Sequence, residues 1–427
     1  MNSMKMLNKS KRASLCAMLV VAWGAHDVAA DGFRNPPEGA AVLGRGGVHL
    51  TEVNDASAVT HNPANTADAK SPSAFASATI GYSETTFTAP NGATADSKNP
   101  WVVLPAVYGV IPLDNNGYVL GVGLTSPYGQ SKEWEKDSVL RLSAPYFAQL
   151  MTVDVSPTLA KRVSKSVAVG AGLDFMWSNL EFKQLFPLLP PPAGLTGPTT
   201  SLNFEGDGTG LGAHAGLTWD VAQGHRVAVT YRAPTKVDYE GDFTMEPNPG
   251  PVFPPPITSS SDFETEIEFP QVVAVGYGVQ VAEAVRLESN VEWVEHSRNK
   301  SLDLDIANNN ALLLLSRGST SLPQAWDDTW TFAVGGDWQA TPEWALRAGW
   351  TYLPTPVPDE TLAASLAEGD KQVLGIGAGY AKGGRRLDLG YAYNIQDDRE
   401  ITTPANPVNG TYEFNQHLLG VSYGQTF

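Results

Sequence analysis

The C-terminal stretch alternates strictly, with Leu419, Val421, Tyr423 and Phe427 on one face and Gly420, Ser422, Gly424 and Thr426 on the other. Successive side chains of a β-strand point to opposite faces, so this is a strand with one bulky apolar face and one small or polar face. The pattern recurs. Leu387, Leu389, Tyr391, Tyr393 and Ile395 oppose Asp388, Gly390, Ala392 and Asn394. Trp344, Leu346, Ala348, Trp350 and Tyr352 oppose Ala345, Arg347, Gly349 and Thr351, and Trp330, Phe332, Val334 and Trp338 oppose Thr331, Ala333, Gly335 and Asp337. Strands of a soluble sandwich run about 5 or 6 residues, whereas these persist for roughly 9 or more, the length needed to cross a hydrocarbon layer at a tilt. Lipid offers no partner to a free sheet edge, so such strands must close into a barrel.

Composition agrees. The 427 residues include 41 Gly and 31 Pro, 42% are hydrophobic and 17% charged, and the net charge is −17. Many turns in one large all-β body fit these figures better than several helical domains. Nucleic acid is excluded as a partner, because phosphate binding needs clustered Lys and Arg. No mature segment has the roughly 18 apolar residues of a transmembrane helix; the Leu312–Leu315 run is far too short.

Residues 1–30 have the form of a signal peptide: Lys5, Lys9, Lys11 and Arg12 precede an apolar stretch from Ala13 to Trp23, and Val28-Ala29-Ala30 is a small-residue cleavage site. The apolar run is too short to serve as a membrane anchor. Cys16, the only cysteine, lies inside it, so the mature chain expects no disulfide and no cysteine metal site. Removal of four basic residues and Asp27 leaves 24 positive against 44 negative charges, or −20.

Strands are expected at 73–88, 101–112, 117–127, 146–161, 166–183, 207–222, 225–243, 263–281, 284–304, 327–340, 343–353, 371–382, 385–399 and 411–427. That makes fourteen, an even number as a single-chain bacterial barrel requires. Tight turns such as Gln223-Gly224 and Lys382-Gly383-Gly384 alternate with longer links at about 184–206, 244–262 and 305–326, matching short periplasmic turns and long outer loops. Residues 31–70 lack sustained alternation. A barrel of this size encloses a lumen that such a segment can fill as a plug; the other reading is a flexible periplasmic tail, which leaves Phe33, Val42, Leu43, Val48, Leu50 and Val53 unexplained.

Leu43-Gly44-Arg45-Gly46-Gly47 and the run Asn54-Asp55-Ala56-Ser57-Ala58-Val59-Thr60-His61-Asn62-Pro63-Ala64 resemble the N-terminal hatch of the FadL family of long-chain fatty acid and aromatic hydrocarbon outer-membrane transporters. Further similar runs are Thr125-Ser126-Pro127-Tyr128-Gly129, Thr230-Tyr231-Arg232 leading to Val237-Asp238-Tyr239-Glu240-Gly241, and Arg347-Ala348-Gly349 leading to Pro356-Val357-Pro358. The resemblance implies an all-β fold: a 14-stranded antiparallel transmembrane β-barrel with a hatch inside the lumen, divided as signal peptide 1–30, hatch 31–70 and barrel 71–427. It implies a monomer of the Gram-negative outer membrane that takes up a long-chain fatty acid or another hydrophobic small molecule and releases it sideways into the bilayer. Hatch gating falls to Asn62, Pro63 and Ala64. An inward kink of the third strand, which in the family opens the wall, falls to Pro127, Tyr128 and Gly129. Pro127 lacks the N–H that a ladder needs and Gly129 tolerates irregular backbone, although a proline there would also end the strand at the rim.

Leu185, Phe186, Leu188 and Leu189 adjoin Pro187 and Pro190–Pro192, while Val252, Phe253 and Ile257 flank Pro254–Pro256. Apolar groups on stiff backbone can form a capture groove, and the resemblance places an entry groove on these loops; a rigid loop without ligand is the alternative. Lys183 and Arg317 are the candidate carboxylate contacts, or solvated rim charges. Near the tenth strand, Gln324-Ala325-Trp326-Asp327-Asp328 offers no basic group, which keeps neutral aliphatic or aromatic hydrocarbons open as cargo.

His49, His61, His214, His225, His296 and His417 form no Ser-His, Asp-His or metal-ligand motif. No catalytic residue, metal or cofactor is therefore expected, and the chain is not read as an enzyme. Expected partners are the hydrophobic cargo, outer-membrane lipid with lipopolysaccharide, and the barrel assembly machinery during insertion. A general porin and a surface adhesin remain as rival readings.

Overall fold

The structure is a computed structural model that describes residues 32–113, 117–187, 199–246, 260–307, 321–404 and 406–427. Fourteen strands close into one antiparallel barrel. They are β1 (Ser73–Thr88), β2 (Thr94–Lys98 and Trp101–Pro112), β3 (Tyr118–Thr125 and Gly129–Trp134), β4 (Phe147–Arg162), β5 (Val167–Pro187), β6 (Thr199–Ala222) and β7 (His225–Arg232 and Thr235–Glu246). The circuit continues through β8 (Ser260–Phe269 and Val272–Ala282), β9 (Val285–Val294), β10 (Thr329–Gln339), β11 (Trp344–Leu353), β12 (Lys371–Lys382), β13 (Arg385–Gln396) and β14 (Gly410–Thr426). Closure is made by β14 on β1, in register from Ser73↔Thr426 to Thr88↔Thr411.

The alternation becomes two surfaces. In β13, Leu387, Leu389, Tyr391 and Tyr393 are exposed while Asp388, Ala392 and Asn394 between them are buried. Exposed apolar side chains recur around the whole wall, from Leu173 and Phe175 on β5 to Leu419 and Val421 on β14. A soluble protein would not leave such a band in water. Polar residues fill the inside: Asp154, Asp174, Glu288 and Asp388 are all 2% exposed or less.

Several strands run further than the sequence pattern suggests. β5 has 21 residues and β6 has 24, about twice what a bilayer requires, so their outer ends rise above it. Leu185 and Phe186 therefore belong to β5 and not to a loop, and β6 starts at Thr199, not at 207. The reason lies on the inner face. Phe204 stacks on Phe182 at 4.4 Å and packs against Phe243 at 4.8 Å and Phe263 at 5.5 Å, and such cross-strand aromatic contacts hold the sheet together without lipid. Leu188, Leu189, Val252, Phe253, Ile257 and Arg317 lie outside the described residues. β9 ends at Val294, short of 304, because a 3₁₀ turn at His296–Arg298 takes over, tied by Arg298 to Glu268 at 2.7 Å.

The N-terminal segment packs against the inner wall through two short helices, α1 (Ala40–Gly44) and α2 (Ala58–His61), and a 3₁₀ turn at Pro63–Asp68. Phe33, Val42, Leu43, Val48, Leu50 and Val53 are all buried, so this segment is no solvated tail.

Candidate functional site

β3 does not end at Pro127. It breaks after Thr125 and resumes at Gly129, so the rim reading of the proline does not hold. On the β4 side the pairs Thr125↔Asp154 and Gly129↔Met151 set three residues against two, an irregularity of the kind that bends a strand. On the β2 side the effect is larger. Pairing stops at Val107↔Leu124 and resumes at Lys98↔Glu133, in the same register. Residues 99–106 of β2 and 125–132 of β3 thus face each other without ladder pairs. Pro100 and Pro105 fall on this free edge, where a strand tolerates proline.

Open backbone in a membrane wall costs several kcal/mol per group unless something pairs with it. At the kink the partner is residues 33–35. The Gly129 N–H donates to the Phe33 carbonyl at 2.8 Å, the Asn35 N–H to the Pro127 carbonyl at 3.0 Å, and Asn35 Nδ2 to the Ser126 carbonyl at 2.8 Å. Arg34 and Tyr128 form the bridge between these bonds. From β4, Thr152 supplies a hydroxyl acceptor to the Tyr128 N–H at 3.1 Å and a carbonyl to the Ser126 hydroxyl at 2.7 Å.

Asn62 stands elsewhere. Its Nδ2 donates to the Leu50 carbonyl at 2.9 Å and to Thr218 Oγ1 at 3.0 Å, and its Oδ1 caps Ala64 N at 3.2 Å. The Asn62-Pro63-Ala64 turn lies on a window of two paired glycines, Gly170 of β5 and Gly216 of β6. A Cβ at Gly170 would come within 2.6 Å of the Pro63 carbonyl carbon, and one at Gly216 within 2.2 Å of Asn62 Oδ1. Only glycine permits that approach.

Charges anchor the rest of the segment. Glu288 of β9 accepts from three successive backbone N–H groups, Leu50 at 2.7 Å, Thr51 at 2.8 Å and Glu52 at 3.0 Å. A chain of alternating charge joins Arg45 to Asp337 at 3.2 Å, Asp337 to Arg347 at 2.6 Å, Arg347 to Asp388 at 2.9 Å, and Asp388 to Arg386 at 2.6 Å. Arg386 returns to the segment at Asp55, 3.4 Å away. Burial holds His61 well below the ordinary histidine range and pushes the Glu38 carboxyl up. His61 Nε2 donates to the Glu38 carbonyl at 2.9 Å.

The lumen on the other side of residues 33–35 is apolar. Phe33 packs on Trp326 at 4.7 Å and Phe269 at 6.4 Å, and Phe269 stacks on Tyr128 at 4.4 Å. This cluster meets the Phe204 cluster at the outer end of the barrel through Leu302, which packs against both. Apolar side chains thus line the lumen from the outer end down to the kink. Phe186 borders the upper cluster, while Leu185, itself buried, falls on the other phase of β5. Lys183 lies in β5 in two-residue phase with the exposed Phe175 and Trp177, paired with Glu181 and set over the Phe147 ring at 5.1 Å. The sequence pattern did not single out Phe33, Asn35, Thr152, Glu288 or Trp326 as partners of the kink or the anchor. For Glu288 a signal existed, a carboxylate on the inward phase of a membrane strand.

The family model for the outer membrane protein transport protein (OMPP1/FadL/TodX) matches residues 21–427. A long-chain fatty acid transport protein of Salmonella typhi is 23% identical over 365 residues, covering 80% of each chain. A FadL homologue from Pseudomonas aeruginosa superposes with a TM-score of 0.80 at 20% identity, covering 93% of this chain and 100% of that one. The toluene transporter TodX of P. putida gives 0.71 at 16% identity, covering 92% and 99%.

Proposed function

The chain belongs to the OMPP1/FadL/TodX family of outer membrane transport proteins, and on that premise we propose that it takes up long-chain fatty acids and releases them sideways through the gap between β2 and β3. The observation that carries this reading is the apolar lining that runs from Phe204 through Leu302 to Tyr128 and ends at the unpaired wall. Greasy cargo in a water-filled channel keeps its surface hydrated, at roughly 25 cal/mol per Å². A continuous apolar path removes that cost, and an opening at membrane depth delivers the cargo straight into hydrocarbon.

In this reading residues 31–70 are a hatch that closes the periplasmic side, with Asn62-Pro63-Ala64 seated on the wall. Capture falls to the outer ends of β5–β8 and the loops beyond them. No catalytic step is required. Movement follows the concentration gradient.

A second cargo, a neutral aromatic hydrocarbon, is favoured by one feature: the lining beside the kink is Phe33, Trp326, Phe269 and Tyr128, while residues 324–328 bring no basic group. The toluene transporter TodX shares the fold. A deletion strain tested in parallel for uptake of oleate, an alkane and toluene distinguishes the cargoes. Unchanged uptake of all three would sink the transporter reading, and a steady large conductance in planar bilayers would favour a porin.

A further inference from the structure

Beside the kink is a cavity of about 100 Å³, bounded by Arg34, Pro127 and Tyr128 toward the gap and by His61, Arg232 and Glu292 behind. Arg34 Nη2 meets Glu292 at 3.0 Å. Arg232 Nη1 lies 3.3 Å from Asp174 and 3.7 Å from Asp154, both fully buried. Asp174 also accepts from His214 Nδ1 at 2.8 Å. Glu292 lines the cavity, while Asp154 and Asp174 lie behind Arg232 and outside its lining, so the two guanidinium groups are matched by three carboxylates around the cavity and no positive charge is left over. Burial favours the neutral forms of His61 and of Glu38, which also line the cavity. The other titratable liners are Tyr128, Tyr231, His214 and His49; His49 sets Nε2 3.5 Å from Glu292 and donates from Nδ1 to the Gly47 carbonyl at 2.6 Å.

A carboxylate entering this space must shed its water and meets a surrounding that is already negative. A hydroxyl sheds less and finds carboxyl, imidazole and amide groups to hydrogen-bond. Resting on the lateral-uptake reading, we propose that the cavity between Arg34, Tyr128 and Arg232 is a head-group pocket for an uncharged hydrogen-bonding group, the hydroxyl of an alcohol or phenol or the protonated form of a carboxylic acid, and that it rejects an anion. The alkyl or aryl tail then lies on the Phe33–Tyr128–Phe269 side while the head turns into the polar cavity next to the opening. Selectivity comes from the unfavourable arm, the uncompensated carboxylates, as much as from the hydrogen bonds.

The test uses the purified mature protein in detergent and equilibrium binding of decane, 1-decanol and decane-1-sulfonate at neutral pH. Decanol is expected to bind at least about tenfold more tightly than the sulfonate, a free-energy difference of about 1.4 kcal/mol, and more tightly than decane. Asp154→Asn, which removes one carboxylate behind Arg232, should narrow the decanol-to-sulfonate ratio several-fold and leave decane unchanged. Glu292→Gln, on the cavity wall itself, should do the same, and serves if Asp154→Asn does not assemble by heat-modifiable mobility. Sulfonate binding as tight as decanol, or a ratio that neither variant moves, overturns the pocket. If all three ligands bind alike, uptake of hydrophobic cargo stands and the head-group pocket falls; if none binds, the uptake reading itself fails.

Discussion

The backbone N–H of Gly129 donates to the carbonyl of Phe33 at 2.8 Å, joining the wall of the barrel to the N-terminal segment where, among the described residues, β3 loses its ladder to β2. The residue that supplies the acceptor also supplies the ring that packs on Trp326 and Phe269. Residues 33–35 thus close the kink by backbone pairing and close the apolar lumen by a side chain. Under the proposed lateral route, moving this short strip would open both together, while Glu288 and the Arg45–Asp337–Arg347 chain hold the remainder of the N-terminal segment against the wall.

Truncating the ring at this seam should loosen it. A buried Phe→Ala change costs about 3–5 kcal/mol where the site cannot collapse. Phe33→Ala should speed backbone exchange at Gly129 and alter cargo uptake while leaving the barrel folded. Exchange at Gly129 equal to the native rate would show that the ring does not hold the strip.

Straightening β3 should have the opposite effect on release. Pro127→Val with Gly129→Thr restores an N–H and favours pairing across the gap, although a Cβ at 129 comes within 3.1 Å of Asn35 Nδ2. Release of hydrophobic cargo into vesicle membranes should slow several-fold with surface capture retained. Full transport by the double variant would refute the lateral route.

The Asn62 turn is predicted to matter for hatch packing more than for the gap. Asn62→Ala with Pro63→Ala removes the bonds to Leu50, Thr218 and Ala64; Asn65 still pairs with the Leu50 carbonyl and with Thr218 Oγ1, so the group left without this partner is the buried Ala64 N–H, at about 1–3 kcal/mol. Exchange protection over residues 50–65 should fall and uptake should be impaired, while heat-modifiable gel mobility still reports a closed barrel. Normal uptake by a folded double variant would rule out a gating role.

Removing the shared acceptor is a sharper test of the anchor. Glu288→Gln replaces a carboxylate that serves three N–H groups by an amide that serves them poorly, and charge-assisted bonds contribute on the order of 1.5–3 kcal/mol each. Protection at Leu50, Thr51 and Glu52 should drop together. Independent responses at the three amides would argue against a common anchor.

Acidification should loosen α2. His61 is held well below the ordinary histidine range by burial, so as pH falls through about 6.5 the detached segment binds a proton that the packed one refuses, and packing weakens. Glu38, raised by burial, acts in the opposite sense: its contribution is present at low pH and is lost as pH rises through the value it has in the packed state. His61→Gln should therefore make exchange over Ala58–His61 less sensitive to acid than in the native protein. An unchanged pH response would remove His61 from this balance.

The sequence by itself determined the barrel, because alternation of bulky apolar and small or polar residues is a local property that one strand displays without its neighbours. Fourteen strands, closure and the outward aromatic face all follow from that period and from the demand that lipid places on backbone groups. The interruption at Pro127 and Gly129 was legible for the same reason: a missing N–H is visible in one residue. What pairs with it was not. Phe33 and Gly129 are far apart in the chain, and nothing in their local sequence specifies a hydrogen bond between them. The extension of β5 and β6 above the membrane was hidden likewise, since Pro187 suggests a loop while Phe182, Phe204, Phe243 and Phe263 stabilise the sheet only once four strands bring them together. The charge balance around Arg232 belongs to the same class. Its partners Asp154 and Asp174 come from β4 and β5, and only the tertiary structure decides that two carboxylates converge on one guanidinium, because electrostatic interaction depends on distance in space and not on distance along the chain.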